Sequence, residues 1–364
     1  MVTSAQGPTT AALNPSLRGI GERIAAGAVP QKGKGTSVGS ISPSNPLDGV
    51  ELPPRVQTAS LPTLNTTSPT LDAIGAFRGF VQTPKGDVWV AIKPANTEAG
   101  RSAPPLVYTG GLATWGDRVD GAADTLRNET GRSTIGIVLP GQAETLDRDV
   151  NRTGGKSLKQ GFTDESQAEA VVQVLDALGV KKPVDVAGLS YGGAVAAALK
   201  KNHPERVNQT FLIAPHVRSV SRFDGRESSW QLAQSNPLGQ LAYRASSQAL
   251  LNATFALFST FREHPVEFLK GVGELTHGVD RLQLENTVAG QENVHILVAE
   301  GDRISPPKYN RKAIEAAGRG STLTMAPDSL RGQHDLIRAG LPEVAKWIAG
   351  IAGNSTSRKS AGPQ

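Results

Sequence analysis

Cysteine is absent from the 364 residues, and with it any disulfide framework or thiolate-held zinc. The chain also lacks an H-E-x-x-H pair, and its six histidines are not grouped at ligand spacing, so no metal is expected. Nucleotide cofactors are disfavoured on similar grounds. Gly110-Gly111 has neither the third glycine nor the later acidic residue of a dinucleotide fingerprint, and no P-loop lysine is present. No apolar run approaches the ~20 residues that span a bilayer, which argues against stable membrane insertion. The N-terminus has no basic region followed by an apolar core. A general secretory signal peptide is therefore not expected, and the chain reads as soluble, either cytoplasmic or secreted without a conventional signal. The net charge is +5, but basic residues are spread out, in short pairs such as Lys181-Lys182, with no aromatic-basic interleaving, so nucleic acid is not an expected partner.

Aromatic residues make up 5% of the chain, and none precedes Phe77. Residues 1–70 are dominated by Ser, Thr, Pro, Gly, Ala, Asn and Gln, without apolar periodicity. Such a segment buries too little surface to offset its ordering entropy and is expected to be disordered. Within it, residues 15–26 have the spacing of one or two amphipathic helical turns. Rich in Ser and Thr, with its first acidic residue at Glu22, the segment also resembles the unstructured export signals of effectors injected by bacterial type III secretion. The basic end, 353–364, reads as a disordered tail. The intervening 71–352 is long enough for one large α/β domain with its own core.

What is present centres on Gly188-Leu189-Ser190-Tyr191-Gly192. An apolar strand over 184–187 leads into this G-x-S-x-G, and an alanine-rich helix follows it, which is the context of a nucleophile elbow. Small residues at Gly188 and Gly192 allow a strand to turn sharply into a helix, pushing the serine hydroxyl out above the sheet. Serine is a poor nucleophile alone and requires a base and a carboxylate. A buried strand over 294–299 runs into Glu300-Gly301-Asp302, and a last strand over 321–325 is followed by Gly332-Gln333-His334 before a closing helix over 339–351. The resulting chain order is Ser190, acid, His334, an order found in one fold class and different from those of chymotrypsin and subtilisin.

Around these positions, hairpin strands over 77–82 and 88–93 are followed by alternating strands and helices: a strand over 106–109, a helix over 117–129, a strand over 135–139, a helix over 165–178, the elbow, and a strand over 210–214. This alternation predicts a mostly parallel sheet covered by helices on both faces, with active residues at the C-terminal ends of the strands. Of the other histidines, His203 reads as a solvated helix terminus. His264, His277 and His295 read as surface or packing residues, and His216, just after the strand over 210–214, as a candidate for lining the pocket.

With these motifs in place, residues 75–352 resemble the alpha/beta-hydrolase superfamily. Leu106-Val107-Tyr108-Thr109-Gly110-Gly111-Leu112 is similar to the family's strand and oxyanion turn, although Thr109 stands where a histidine is usual. Gly141-Gln142-Ala143-Glu144-Thr145 departs from the usual Gly-x-Gly-x-Ser at Ala143 and Thr145. The resemblance implies Asp302 as the triad acid in preference to Glu300, and backbone N–H groups of Tyr191 and Gly111 as the oxyanion hole, with Leu112 as the fallback for the second. His334 would act as general base and then acid on Ser190, with Asp302 orienting it.

Between His216 and Gln291 the alternation stops, and Trp230, Leu250, Phe255, Phe258 and Phe268 recur at largely helical spacing. The resemblance implies an inserted helical cap at about 217–291. A serine at the elbow argues for acyl transfer rather than the alkyl-ester chemistry of the family's carboxylate nucleophiles. The expected function is therefore cofactor-free hydrolysis of a carboxylic ester or related acyl bond in a small-molecule substrate. The alternative is a hydrolase-fold binding protein, possibly a type III effector, which would have a protein partner.

Overall fold

The computed structural model describes residues 61–64, 71–111, 114–153, 163–217, 283–302 and 304–360. The described residues lie within one compact unit, 52–364. They form a nine-stranded sheet: β1 Thr63–Leu64, β2 Phe77–Thr83, β3 Gly86–Lys93, β4 Leu106–Thr109, β5 Thr134–Val138, β6 Val184–Leu189, β7 Val207–Ile213, β8 Val294–Val298 and β9 Thr322–Met325. The helices are α1 Leu71–Ile74, α2 Glu98–Ser102, α3 Gly116–Thr130, α4 Ala143–Thr153, α5 Asp164–Ala177, α6 Tyr191–Asn202, α7 Leu284–Thr287, α8 Pro307–Ala316 and α9 Leu336–Ser360.

Every residue of β4, β5, β6 and β8 is buried, as expected for central parallel strands covered on both faces. The order is β1-β2-β3-β5-β4-β6-β7-β8-β9, with antiparallel pairing only at β2–β3 and β3–β5. From β4 the chain crosses to one side, into β5; from β6 it crosses to the other, into β7. The neighbours β4 and β6 therefore flank a topological switch point, where ligands bind beyond the C-terminal strand ends. Thr109 pairs with Gly188 at that edge, so Gly110-Gly111 and Ser190 emerge side by side.

Two hydrophobic cores lie on the two faces of the sheet. One joins Val107, Val186 and Ile296 to Leu175 of α5 and Val195 and Leu199 of α6. The other joins Trp89, Tyr108 and Phe211 to Val119 and Leu126 of α3 and Val344 and Ile348 of α9. At the opposite end of the sheet from the switch point, Arg132 and Asp185 form a buried ion pair at 2.7 Å. Asn208 Nδ2 and the Gln209 N–H satisfy the other Asp185 oxygen at 2.8 and 3.1 Å.

Three expectations about boundaries are corrected. The first concerns residues 61–64, placed by the sequence in a disordered segment: Thr63–Leu64 pairs parallel to β2, and the Phe80 N–H donates to the Pro62 carbonyl at 2.9 Å. The edge of β2 supplies backbone partners that compositional reasoning does not weigh. The remainder of 1–60 lies outside the described residues, including the expected helical turns at 15–26 and the export signal. The second concerns residues 353–360, expected as tail, which continue α9; the helix breaks instead at Gly340 and carries Pro342. The third concerns residues 283–291, expected in the cap, which belong to the body. Leu284 and Val288 are fully buried in the first core, and the Leu284 N–H meets the Val217 carbonyl at 3.3 Å. The rest of the expected cap, with His264 and His277, lies outside the described residues.

His295 of β8 is buried against Phe211, with ring centroids 5.4 Å apart, and its Nδ1 lies 2.9 Å from Thr322 Oγ1. Burial lowers its pKa from 6.5 to about 4. A histidine depressed in the folded state contributes stability that is fully present above the unfolded value and is lost as pH falls from 6.5 towards 4. Urea unfolding across that window is expected to show this loss in the wild type and a shallower loss in His295→Gln. Identical slopes in the two proteins would contradict the assignment.

Candidate active site

The elbow is built by close backbone approaches. A Cβ at Gly188 would collide with the Gly192 carbonyl, and one at Gly192 with the carbonyls of Thr109 and Gly110. At Gly193 it would lie 2.9 Å from Pro215 Cβ. Only glycine lets α6 start this close to β4 and to the chain leaving β7. Between them Ser190 sits at φ 51°, ψ −114°, in a region that non-glycine residues rarely occupy. Its N–H donates to the Ile213 carbonyl at 2.9 Å, and its carbonyl accepts from His216 N at 2.9 Å and Gly193 N at 3.0 Å. These bonds hold the strained residue between β7 and α6.

The structure brings Ser190, His334 and Asp302 together. His334 Nε2 lies 2.8 Å from Ser190 Oγ, and its Nδ1 lies 2.9 Å from Asp302 Oδ2. An ionised carboxylate can only accept, so Nδ1 carries the proton and Nε2 is left to accept from the serine hydroxyl. Asp302 is 2% exposed, and its Oδ1 accepts the N–H groups of Ile304 and Ser305, each at 2.8 Å. Glu300 instead faces outward and pairs with Arg331 at 2.6 Å.

Gly111 lies where the turn after β4 meets the elbow: a Cβ there would stand 3.3 Å from Ser190 Cβ. Tyr191 is the first residue of α6, at the positive end of that helix. Leu112 lies outside the described residues. The Tyr191 phenol is buried, and its pKa is pushed well up by burial and by the carboxylates of Asp164 and Glu165. Asp164, at the start of α5, is itself raised to about 7 by burial and its neighbour Glu165. The segment after β7 brings His216 next to the elbow through its backbone bond to Ser190. His203, at the far end of α6, reaches Glu169 at 3.2 Å.

Several supporting groups escape sequence reasoning. Glu144, 3% exposed, accepts the Gly116 N–H at 2.8 Å and so caps α3, whose own N-cap Trp115 makes no side-chain bond. Burial raises the Glu144 pKa. Ser305 Oγ donates to the Pro215 carbonyl at 2.6 Å and receives Asn310 Nδ2 at 3.0 Å, tying the Asp302 turn to the end of β7. Arg118 pairs with Asp335 at 2.7 Å. Of these, only the Asp-x-x-Ser pattern after β8 is a local signal that sequence could have supplied.

A family model described as alpha/beta hydrolase fold matches residues 104–268, in keeping with this sheet and elbow. The chain has the alpha/beta-hydrolase fold. A 2-hydroxymuconate semialdehyde hydrolase from Pseudomonas putida is 31% identical over 128 residues, which cover 30% of this chain and 45% of that protein. The match thus spans less than half the length of this curated relative. Among solved alpha/beta hydrolases, a meta-cleavage product hydrolase from Pseudomonas fluorescens superimposes with a TM-score of 0.55 at 14% identity, covering 76% of this chain and 97% of the other. An esterase from Exiguobacterium antarcticum gives 0.53 at 14%, over 77% and 99%. An enol-lactonase from Burkholderia xenovorans gives 0.51 at 15%, over 75% and 99%. At these identities the likeness is one of fold.

The strain at Ser190 generates a stability prediction that is independent of chemistry. Both Ser190→Ala and Ser190→Gly remove the hydroxyl, but only glycine relieves the positive φ. The glycine variant is expected to be more stable than the alanine variant by about 1 kcal/mol in urea unfolding. Equal midpoints and slopes would mean that the turn is not strained.

Proposed function

We propose that this chain is a serine hydrolase that cleaves a carboxylic ester or related acyl bond of a small molecule through an acyl-enzyme on Ser190. The observation that carries the reading is the unbroken hydrogen-bond series from Ser190 Oγ through His334 to Asp302, 2.8 and 2.9 Å in its two steps. His334 Nε2 accepts the hydroxyl proton as Oγ attacks the acyl carbon. The same proton passes to the leaving group as the scissile bond breaks, which frees the alcohol. Water then gives a proton to His334 and its oxygen to the acyl carbon, and the return of that proton to Ser190 Oγ releases the acid. Asp302 holds the imidazole in the required tautomer and stabilises its cation. The N–H groups of Tyr191 and Gly111 are assigned to the tetrahedral oxyanion; loss of one such donor typically costs about 3 kcal/mol in the barrier.

The bond cleaved is drawn from a range that the related folds cover. The relatives by name include an esterase, an enol-lactonase and a meta-cleavage product hydrolase. Acyl transfer to a serine requires a nucleophile and stabilisation of charge on an oxygen. An ester is the simplest acceptor that meets both.

A fluorophosphonate probe is expected to label the wild type and not Ser190→Ala, as read by intact-protein mass. His334→Ala is expected to lose on the order of 10³-fold in turnover of p-nitrophenyl esters while its circular dichroism stays unchanged. Near-normal turnover in that variant would remove His334 from the role of base.

A further inference from the structure

The loop that carries His334 is fastened to the body by a contact that the triad itself does not require. Asp335, the next residue, does two things. Its Oδ1 accepts the Arg338 N–H at 3.1 Å, which caps the start of α9. Its Oδ2 receives Arg118 Nη2 at 2.7 Å, with the two side chains 31% and 24% exposed. Arg118 lies on the first turn of α3, and its guanidinium sits 5.3 Å from the Trp115 ring. Immediately before Trp115 comes the turn that begins at Gly110-Gly111, where the Thr114 N–H returns to the Gly111 carbonyl at 3.3 Å. One ion pair, between positions 217 residues apart, therefore joins the helix that follows the oxyanion turn to the loop of the base. The buried Tyr108 phenol of β4 has its pKa raised by burial and then by Asp335, with Arg118 opposing, which puts both charges close to the C-terminal edge of the sheet.

We propose that Arg118 and Asp335 are a positioning pair for the triad: the ion pair fixes the His334 loop against α3, and its two opposite charges offset each other at the imidazole. The proposal rests on the serine-hydrolase reading and deepens it. An anion one residue from His334 favours the imidazolium, and a cation on the facing helix disfavours it. The other ionisable groups on the elements that carry or adjoin the pair and the imidazole are Asp302 from the turn after β8, Arg338 on α9, the Glu300–Arg331 pair in the flanking turns, His216 after β7, and the phenols of Tyr108 and Tyr191. None of these is altered in the test below, so changes report the pair.

The test measures the rate of Ser190 labelling by a fluorophosphonate against pH, at low ionic strength, in the full chain. Only neutral His334 activates the serine, so the acid-side inflection reports the imidazole. Arg118→Gln removes the cation bonded to Asp335 and is expected to move the inflection up by about half a pH unit. Asp335→Asn keeps the helix cap and is expected to move it down by a similar amount. The double variant is expected to return close to the wild type, and Arg118→Lys, which keeps the charge, to stay near it. Raising the salt to about 1 M is expected to shrink both single-variant shifts. Shifts of the same sign in the two single variants, or none in either, would overturn the pair while leaving the hydrolase reading intact. Folded wild type that takes up no probe would overturn that reading, and the pair with it.

Discussion

The constraint on which the site depends is steric: the start of α6 must lie against the end of β4. Glycine at 188, 192 and 193 permits that approach, because a Cβ at any of the three meets backbone or Pro215. The contact is held by a hydrogen bond from Thr109 Oγ1 to the Gly192 carbonyl at 3.1 Å. One packing event therefore sets two positions at once. It lifts Ser190 into its strained conformation, and it lays Gly110-Gly111 beside it, since Thr109 and Gly188 are register partners in the sheet. Strain of this kind costs about 1–3 kcal/mol and persists only when the surroundings over-determine it. Here the bonds to Ile213, His216 and Gly193 do so.

Asp302 and His334 are then delivered by strand ends further along the same edge. Asp302 follows β8, two strands from β6, and turns its carboxylate inward because two N–H groups of its own turn bind one oxygen. Ser305 and Asn310 anchor that turn to the chain leaving β7. The Gly332 N–H donates to the Glu300 carbonyl at 2.7 Å, so the turns carrying Asp302 and His334 are joined by backbone before their side chains meet. The ordering of three distant side chains thus follows from a parallel sheet whose adjacent loops brace one another.

Much of this was legible in the sequence because the information was local. The strand over 106–109 matches β4 at both ends, and the expected helix over 117–129 differs from α3 by one residue at each end. Both carry the apolar pattern that buried strands and one-sided helices must have. The elbow was legible because only glycine satisfies its contacts. The missed helices are one-sided too but poor in apolar residues. Helix α4 reads Ala-Glu-Thr-Leu-Asp-Arg-Asp-Val-Asn-Arg-Thr, with three apolar residues in eleven, and α8 shows Ala313 as its one fully buried apolar residue. Edge strand β1, two residues long, exists through pairing rather than propensity. Glu300 and Asp302 were separated only by family resemblance, whereas burial separates them physically. One faces solvent and an arginine; the other is enclosed beside the imidazole.

The departures from the family pattern at 141–145 have a structural account. Ala143 adopts φ 36°, so the position where the family usually has glycine is here an alanine in a left-handed conformation. Thr145, in place of serine, keeps the hydroxyl chemistry: its Oγ1 donates to the Val138 carbonyl at 2.7 Å and accepts the Trp89 N–H at 3.0 Å. Those two bonds tie the start of α4 to β3 and β5. From there Glu144 reaches the first N–H of α3, the helix that follows the Gly110-Gly111 turn. A cost at Ala143 is thus borne by a segment whose next two residues bond to three other elements. The same logic recurs at Ser190, where neighbouring hydrogen bonds fix a strained residue. In both places this chain holds an unfavourable backbone conformation by surrounding it with satisfied polar groups rather than by relaxing it with glycine.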